Sequence, residues 1–319
     1  MKSYPHKKLT YNPSLTRNIG NKILTVASAV FAAISVLPLL FVISYILIKG
    51  GSYINFETLI LEPEPPGDDL LSAGGMGPAI TGTFIMTVIA SIISIPVGVG
   101  GGIYLAEYSK SGRFAKFVRF GSNVLAGVPS IIAGVFIYAI IVSTKIFFGS
   151  MFSGIAGGIS LSILMLPTII KTTDEALKLV PDNLRRAAFG VGASKFTMIS
   201  NISLPAAFSS ISTGILLALA RAAGETAPLI FTALFSRYYI TSFDDLFYEM
   251  GSLSVLIYNF ALEPYESQNQ LAWAASFILV VVLLSLNILS RWINTLGAFS
   301  KNKKLQNDSS ISVSLDMFR

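Results

Sequence analysis

The chain has no cysteine and a single histidine, His6, in a polar N-terminal stretch. Disulfides, thiolate metal sites and cysteine nucleophiles are therefore excluded, and a histidine-based metal centre or Ser-His-Asp triad within the apolar body is implausible. No Gly-Lys dipeptide occurs, so the nucleotide-phosphate loop Gly-x4-Gly-Lys-Ser/Thr is absent and the chain is not expected to be an enzyme of that class. Charge is scarce as well. Only 13% of the 319 residues are Asp, Glu, Lys or Arg, against about 25% in a soluble domain. Together with 53% hydrophobic residues and a mean hydropathy of +0.68, this composition is that of an all-α integral membrane protein. The net charge of +6 does not point to nucleic acid. The basic residues fall in alternate loops and form no stripe with interleaved aromatics.

A membrane-spanning helix needs about 20 mostly apolar residues. Six stretches are candidates, near Ile23–Ile48, Ile80–Tyr108, Phe120–Phe148, Ile155–Ile170, Pro205–Phe235 and Leu271–Ile293, the fourth being the shortest. Gly154, Gly157 and Gly158 blur the start of the fourth. The first follows a basic tail, as a signal peptide would, but its apolar run is long and Lys49-Gly50-Gly51 is no small-residue cleavage site, so it reads as an uncleaved anchor. Lys and Arg concentrate in residues 1–22, 109–119, 171–204 and 291–319, while the opposite loops hold only Lys49, Lys145 and Arg237. That asymmetry places both termini in the cytoplasm of a multi-pass protein. The expected organisation is a tail at 1–22, a six-helix domain at 23–300 and a disordered Ser/Asn/Lys-rich tail at 301–319. The Pro- and Gly-containing connection at 50–77 reads as irregular.

Arg221 and Glu225 stand four residues apart inside the apolar run Leu204–Phe235, which puts them on one helical face. A charge at the bilayer centre costs about 2.5–3.5 kcal/mol, so the pair must face protein or water. Two readings are open: a path for a charged substrate, or an ion pair that only locks helices together. Thr226 is a further candidate, its hydroxyl either sharing in anion binding or bonding back to the preceding turn. Pro129 and Pro228, with Gly127 and Gly224 beside them, suggest gating or simple helix shape. Gly98, Gly100, Gly101 and Gly102 suggest close helix packing. Glu107 reads as interfacial, and Lys171, Asp174 and Glu175 as solvated charges at a membrane exit.

The segment 171–204 is long and patterned. Pro181 and Asp182 can open a short helix near Asn183, Gly190 and Gly192 permit a turn, and Ser194–Ser203 can form a second helix before Pro205. Ala187-Ala188, three residues, Gly192, nine residues and Ile202-Ser203-Leu204-Pro205 resemble the Glu-Ala-Ala loop of ABC-importer permeases, with Arg186 where that loop often carries Glu. The stretches Arg221–Leu229, Ala126–Ile131, Gly102–Tyr108 and Gln270–Ala274 resemble the A-type permease subunit of phosphate importers, and the likeness covers roughly residues 20–300.

The resemblance implies a type I (MetI-like) permease core of five helices plus an N-terminal helix, with a cytoplasmic coupling loop. It implies that Arg186, Ala187, Ala188, Gly192, Ile202, Leu204 and Pro205 belong to the surface that meets an ATP-binding subunit. It also implies a C-type partner permease, two ATP-binding subunits and an extracytoplasmic phosphate-binding protein, with no cofactor in this chain. Phosphate, as an anion, suits a guanidinium through charge-assisted hydrogen bonds, so Arg221, Glu225 and Thr226 are the expected phosphate path. A permease for sulfate or molybdate would explain the loop but not Gly224–Pro228. A secondary transporter would explain the Arg–Glu pair but not the loop, and a membrane scaffold would need neither.

Overall fold

The computed structural model describes residues 15–67, 73–109, 112–144 and 152–316, with side chains as far as 293. The expectations for residues 1–14, including His6, and for Lys145 lie outside these. The chain divides into two compact units, residues up to Ile48 and residues from Lys49 onward. The described residues of the first all belong to the helix α1 (Leu15–Gly51), which contains the expected span Ile23–Ile48 and has Pro38 within it.

The second unit is a helical assembly around two closely packed spans. Helix α3 (Gly77–Ile103) runs on through a π turn at Tyr104–Tyr108, and α6 (Gly154–Lys178) lies against it. Gly98 makes this approach possible, because a Cβ there would sit 2.7 Å from the Ile169 side chain. Small residues let helix backbones meet where lipid offers no hydrophobic drive to association. Gly100, by contrast, faces open space. A core of Met86, Leu161, Met165, Ile169, Ala218, Leu229 and Met250 fills the interior around this pair.

Among the described residues five helices are long and apolar enough to cross a membrane, or six if one sharply bent pair counts as a single span. That pair is the expected third span. Helix α4 (Arg113–Gly127) and helix α5 (Ser130–Ile137, continuing as a π turn to Val142) meet at 104°. The bend sits at Val128-Pro129, where proline removes a backbone donor and holds the preceding residue extended. The fourth span starts at Gly154, capped by Ser153, and runs eight residues beyond the expected end at Ile170, to Lys178. Lys171, Asp174 and Glu175 are therefore helical.

The coupling segment folds as α7 (Asp182–Gly190), α8 (Lys195–Met198) and a π turn at Ile199–Ser203 that leads straight into α9 (Leu204–Ala223). Asp182 does not cap α7; its carboxylate accepts from Arg185 instead, at 3.0 Å. Past α9 the expected continuous fifth span is interrupted at Gly224–Thr226. A short α10 (Ala227–Thr232) follows, then α11 (Leu253–Ala261) and α12 (Glu266–Asp316), which packs on α9 and α11. Helix α12 continues into 301–316, where composition suggests disorder. Extending a formed helix avoids the cost of nucleating a new one.

Among the described residues, the connection between α1 and α3 is irregular apart from α2 (Phe56–Ile60), with its Asn55–Thr58 capping box, and one antiparallel bridge, Pro63 to Gly74. It is tied to the connection between α10 and α11 by Tyr239, whose hydroxyl donates to the Ile60 carbonyl. In that second connection Asp245 accepts from the amides of Thr241 (2.7 Å) and Ser242 (2.9 Å) and from the Thr241 hydroxyl. These bonds, the Ser242 amide foremost, hold its carboxyl below the ordinary 3.8. The sign follows. A depressed folded pKa stabilises the turn fully above 3.8, and the gain is lost as pH falls from there through the lowered value. Amide protection at Thr241 and Ser242 is expected to fall in that acid window, and Asp245→Asn should abolish the pH dependence.

Candidate functional site

Helix α9 carries Arg221 in its last turn and stops because Gly224 follows. The Gly224 amide closes the end by donating to the Arg221 carbonyl at 3.1 Å. Thr226 then opens α10, and Pro228 occupies its first turn, where a missing amide proton leaves nothing unpaired. Pro228 thus starts a helix and does not kink one. Ser254, at the start of α11, donates to the Glu225 carbonyl at 2.8 Å and pins the break from the other side. The Ser254 helix is itself tied to α3, since the Leu253 amide donates to the Thr83 hydroxyl at 2.9 Å.

Across this break the Arg221 Nε lies 3.4 Å from the Glu225 Oε1. The expected pairing is present, although the helix that was to carry it is broken. Its two partners differ in setting, with the Arg221 side chain 51% exposed and that of Glu225 15%. Among the described residues the terminal guanidinium nitrogens have no protein partner, and neither has the half-buried Thr226 hydroxyl. A long, half-exposed pair contributes little stability. It leaves the Arg221 guanidinium half-exposed on a spanning helix, where protein, water or a ligand must meet it.

The second broken span abuts the first. A Cβ on Gly134 of α5 would stand 2.5 Å from the Pro228 Cα, so α5 and α10 touch backbone to backbone. Gly127, at the end of α4, has nothing within 4 Å of such an atom. The bend belongs to Val128-Pro129, and Gly127 is not needed for it.

The coupling residues divide into two sets. Arg186 and Ala187 are exposed on α7, while Ala188 is buried in a small core with Met198 and Ile199. Gly192 makes the turn between α7 and α8 with φ +83°, a conformation that glycine adopts without strain. Ile202 and Leu204 are half-buried and Pro205 is exposed at the base of α9.

Sequence reasoning missed the two strongest charge clusters, and its reading of Asp174 is corrected. Glu107, at the end of its span, is 7% exposed and takes three hydrogen bonds from Arg185, the shortest 2.8 Å. Arg185 also donates to the carbonyls of Leu177 and Val180, each at 2.6 Å. Burial lowers its pKa, but the Glu107 bonds and charge, with Asp182, outweigh that and raise it. Asp174 is 5% exposed, not solvated, and pairs with Arg119 at 2.9 Å and Lys178 at 2.6 Å. Arg119 reaches on to the Leu105 carbonyl at 2.8 Å.

Comparison with known proteins agrees with this architecture. Residues 98–296 match the family described as binding-protein-dependent transport system inner membrane component. The phosphate transport system permease protein PstA of Yersinia pestis is 43% identical over 245 residues, covering 77% of this chain and 78% of that protein. The Pasteurella multocida protein of the same name is 37% identical, covering 86% and 94%. Among solved structures, a bacterial alginate ABC transporter in complex with an alginate-pentasaccharide-bound periplasmic protein matches with a TM-score of 0.59 at 18% identity, over 86% of this chain and 95% of that one. A chain of the inward-facing MetNI methionine ABC transporter matches with a TM-score of 0.54 at 18% identity, over 69% and 93%. At such identities these two structures bear on the fold alone, which is that of an ABC-importer permease. The chain belongs to the binding-protein-dependent transport system inner membrane components, multi-pass permeases of importer complexes, in the branch of the PstA permease proteins.

Proposed function

We propose that this chain is the permease subunit that forms half of the translocation path of an ATP-driven importer of inorganic phosphate, with Arg221, Glu225 and Thr226 lining the anion path. The observation that carries the site assignment is the half-exposed guanidinium of Arg221 on a spanning helix, held only loosely by Glu225. A guanidinium offers phosphate paired charge-assisted hydrogen bonds. The nearby carboxylate lowers the local positive field, so a bound anion can leave. The substrate rests on the relatives, whose names are those of phosphate transport permeases. The other half of the path would come from a C-type permease, with two ATP-binding subunits on the cytoplasmic side, where both termini lie, and a phosphate-binding protein on the other. ATP hydrolysis belongs to those partners.

Coupling follows from chain continuity. From Lys195 to Ala223 the backbone is unbroken helix, so a push on α8 is delivered along α9 to Arg221. The proposed contact surface is Arg186, Ala187, Gly192, Ile202, Leu204 and Pro205, with Ala188 buried beneath it as support. Its shape depends on the left-handed turn at Gly192. Gly192→Ala meets no atom, but it puts a Cβ in that conformation at about 1–2 kcal/mol. Co-purification of the ATP-binding subunits is expected to fall roughly 5–30-fold, with normal membrane abundance of this chain.

The proposal is tested by uptake of labelled phosphate in cells that lack their own importer and co-express this chain with its partners. Uptake that prefers phosphate to sulfate and stops when the ATP-binding subunits are inactivated supports it. Preference for sulfate overturns the substrate. Uptake that survives ATPase inactivation points to a secondary transporter.

A further inference from the structure

Two clusters of buried charge converge on one short segment, the π turn Tyr104–Tyr108 at the end of α3. From α4, Arg119 donates to the Leu105 carbonyl through Nη2 and holds Asp174 of α6 through both Nε and Nη2. From α7, Arg185 holds Glu107 and, through Leu177 and Val180, the end of α6. From α8, the Lys195 ammonium lies 4.4 Å from the centre of the Tyr108 ring. The turn is thus gripped by both helices of the coupling segment and by two spans.

We propose that Arg185 is a positioning residue, a permanent latch that makes α7 move as one body with the cytoplasmic ends of α3 and α6. The inference rests on the importer reading, in which α7 meets an ATP-binding subunit, and it adds a second transmission route besides the backbone path into α9. Helix α7 is only nine residues long and is joined to α9 through the glycine turn at 192, so a push on it alone would be absorbed by that turn. The latch removes the slack.

The geometry favours a latch over a switch. The Arg185 side chain is 9% exposed and that of Glu107 3%. Each Arg185 nitrogen is engaged: Nε by both Glu107 oxygens, Nη1 by the Val180 carbonyl and Asp182, Nη2 by Glu107 and the Leu177 carbonyl. Opening the pair would strand a buried charge on each side, which disfavours the opened state strongly. The Arg221–Glu225 pair has the opposite character, being long and half-exposed, as a contact that must exchange partners should be. One ion pair is built to hold and the other to yield.

The native chain has no cysteine, so thiol-directed spin labels attach only where cysteines are introduced. Labels at Ser109→Cys and Leu184→Cys, in the complete complex in lipid nanodiscs, report the distance from the π turn to α7. The distance distribution is expected to be the same without nucleotide and with ATP trapped. In Glu107→Gln it should broaden, while stimulation of ATP hydrolysis by the substrate-loaded binding protein falls about tenfold and the ATP-binding subunits still co-purify. A distance that shifts between the two states in the otherwise native chain would overturn the latch, as would Glu107→Gln complexes that keep both a narrow distribution and full stimulation. Should Glu107→Gln fail to assemble, the label pair in the native background decides alone. A rigid label distance in a complex that imports no phosphate would leave the latch standing and remove the substrate assignment instead.

Discussion

Arg221→Gln is expected to lower phosphate uptake roughly 10- to 100-fold at equal membrane abundance. A hydrogen bond to a charged group is worth about 1.5–3 kcal/mol, and each 1.4 kcal/mol is tenfold. Abundance should hold because Arg221 contributes little to packing. Its side chain is 51% exposed, its single contact to Glu225 is 3.4 Å, and the break behind it is pinned by Ser254 through the backbone of Glu225. Glu225→Gln should act differently. With the counter-charge removed, the guanidinium holds phosphate more tightly, so apparent KM and the maximal rate fall together. If the pair were merely a lock between helices, the two single variants would behave alike and the double variant Arg221→Gln with Glu225→Gln would recover most of the activity. For an anion path the double variant stays as impaired as Arg221→Gln. Uptake kinetics for the three variants decide between these outcomes.

Most spans were legible because they exceed the 20 or so apolar residues a bilayer demands, as Ile23–Ile48 within α1 shows, whereas Ile155–Ile170 read short because its helix runs on through charged residues to Lys178. The breaks were not, although their chemistry was in view. Gly127-Val128-Pro129 and Gly224–Pro228 occupy three to five residues, and hydropathy averaged over a span passes across them. Gly and Pro mark a discontinuity, but only the neighbours decide whether it becomes a kink, a 104° bend or a new helix. The charge clusters divide in the same way. Arg221 and Glu225 are one helical turn apart, so local periodicity pairs them. Arg185 and Glu107 are separated by 78 residues, and Arg119 and Asp174 by 55, so only the packing of α3, α4, α6 and α7 brings them together. Taken one at a time, a Glu at the end of an apolar run and an Arg in a polar loop look like ordinary surface charges.

Gly134→Val is expected to deplete the chain from the membrane and reduce uptake more than tenfold, whereas Gly127→Ala is expected to leave both unchanged. The sequence alone ranks them the other way. Gly127 stands beside Pro129 in the stretch that resembles other permeases, while Gly134 is one small residue in an apolar helix. Contact geometry reverses the order. A Cβ at Gly134 would lie 2.5 Å from the Pro228 Cα and 3.0 Å from its carbonyl oxygen, and backbone cannot swing aside as a flexible side chain would. Helices α5 and α10 would have to separate, at an overpacking cost of about 1–3 kcal/mol before the branches of valine are counted. Their separation also shifts Pro228, two residues past Thr226, so any chain that still folds has the proposed anion path displaced. At Gly127 an added methyl meets nothing and the backbone is not left-handed, so alanine there should instead favour the helix by up to about 1 kcal/mol. Membrane abundance and uptake, measured side by side for Gly134→Val, Gly134→Ala and Gly127→Ala, check the ordering. Equal tolerance of all three would mean that α5 and α10 do not meet at this point, and that the two broken spans are not held against each other beside Arg221.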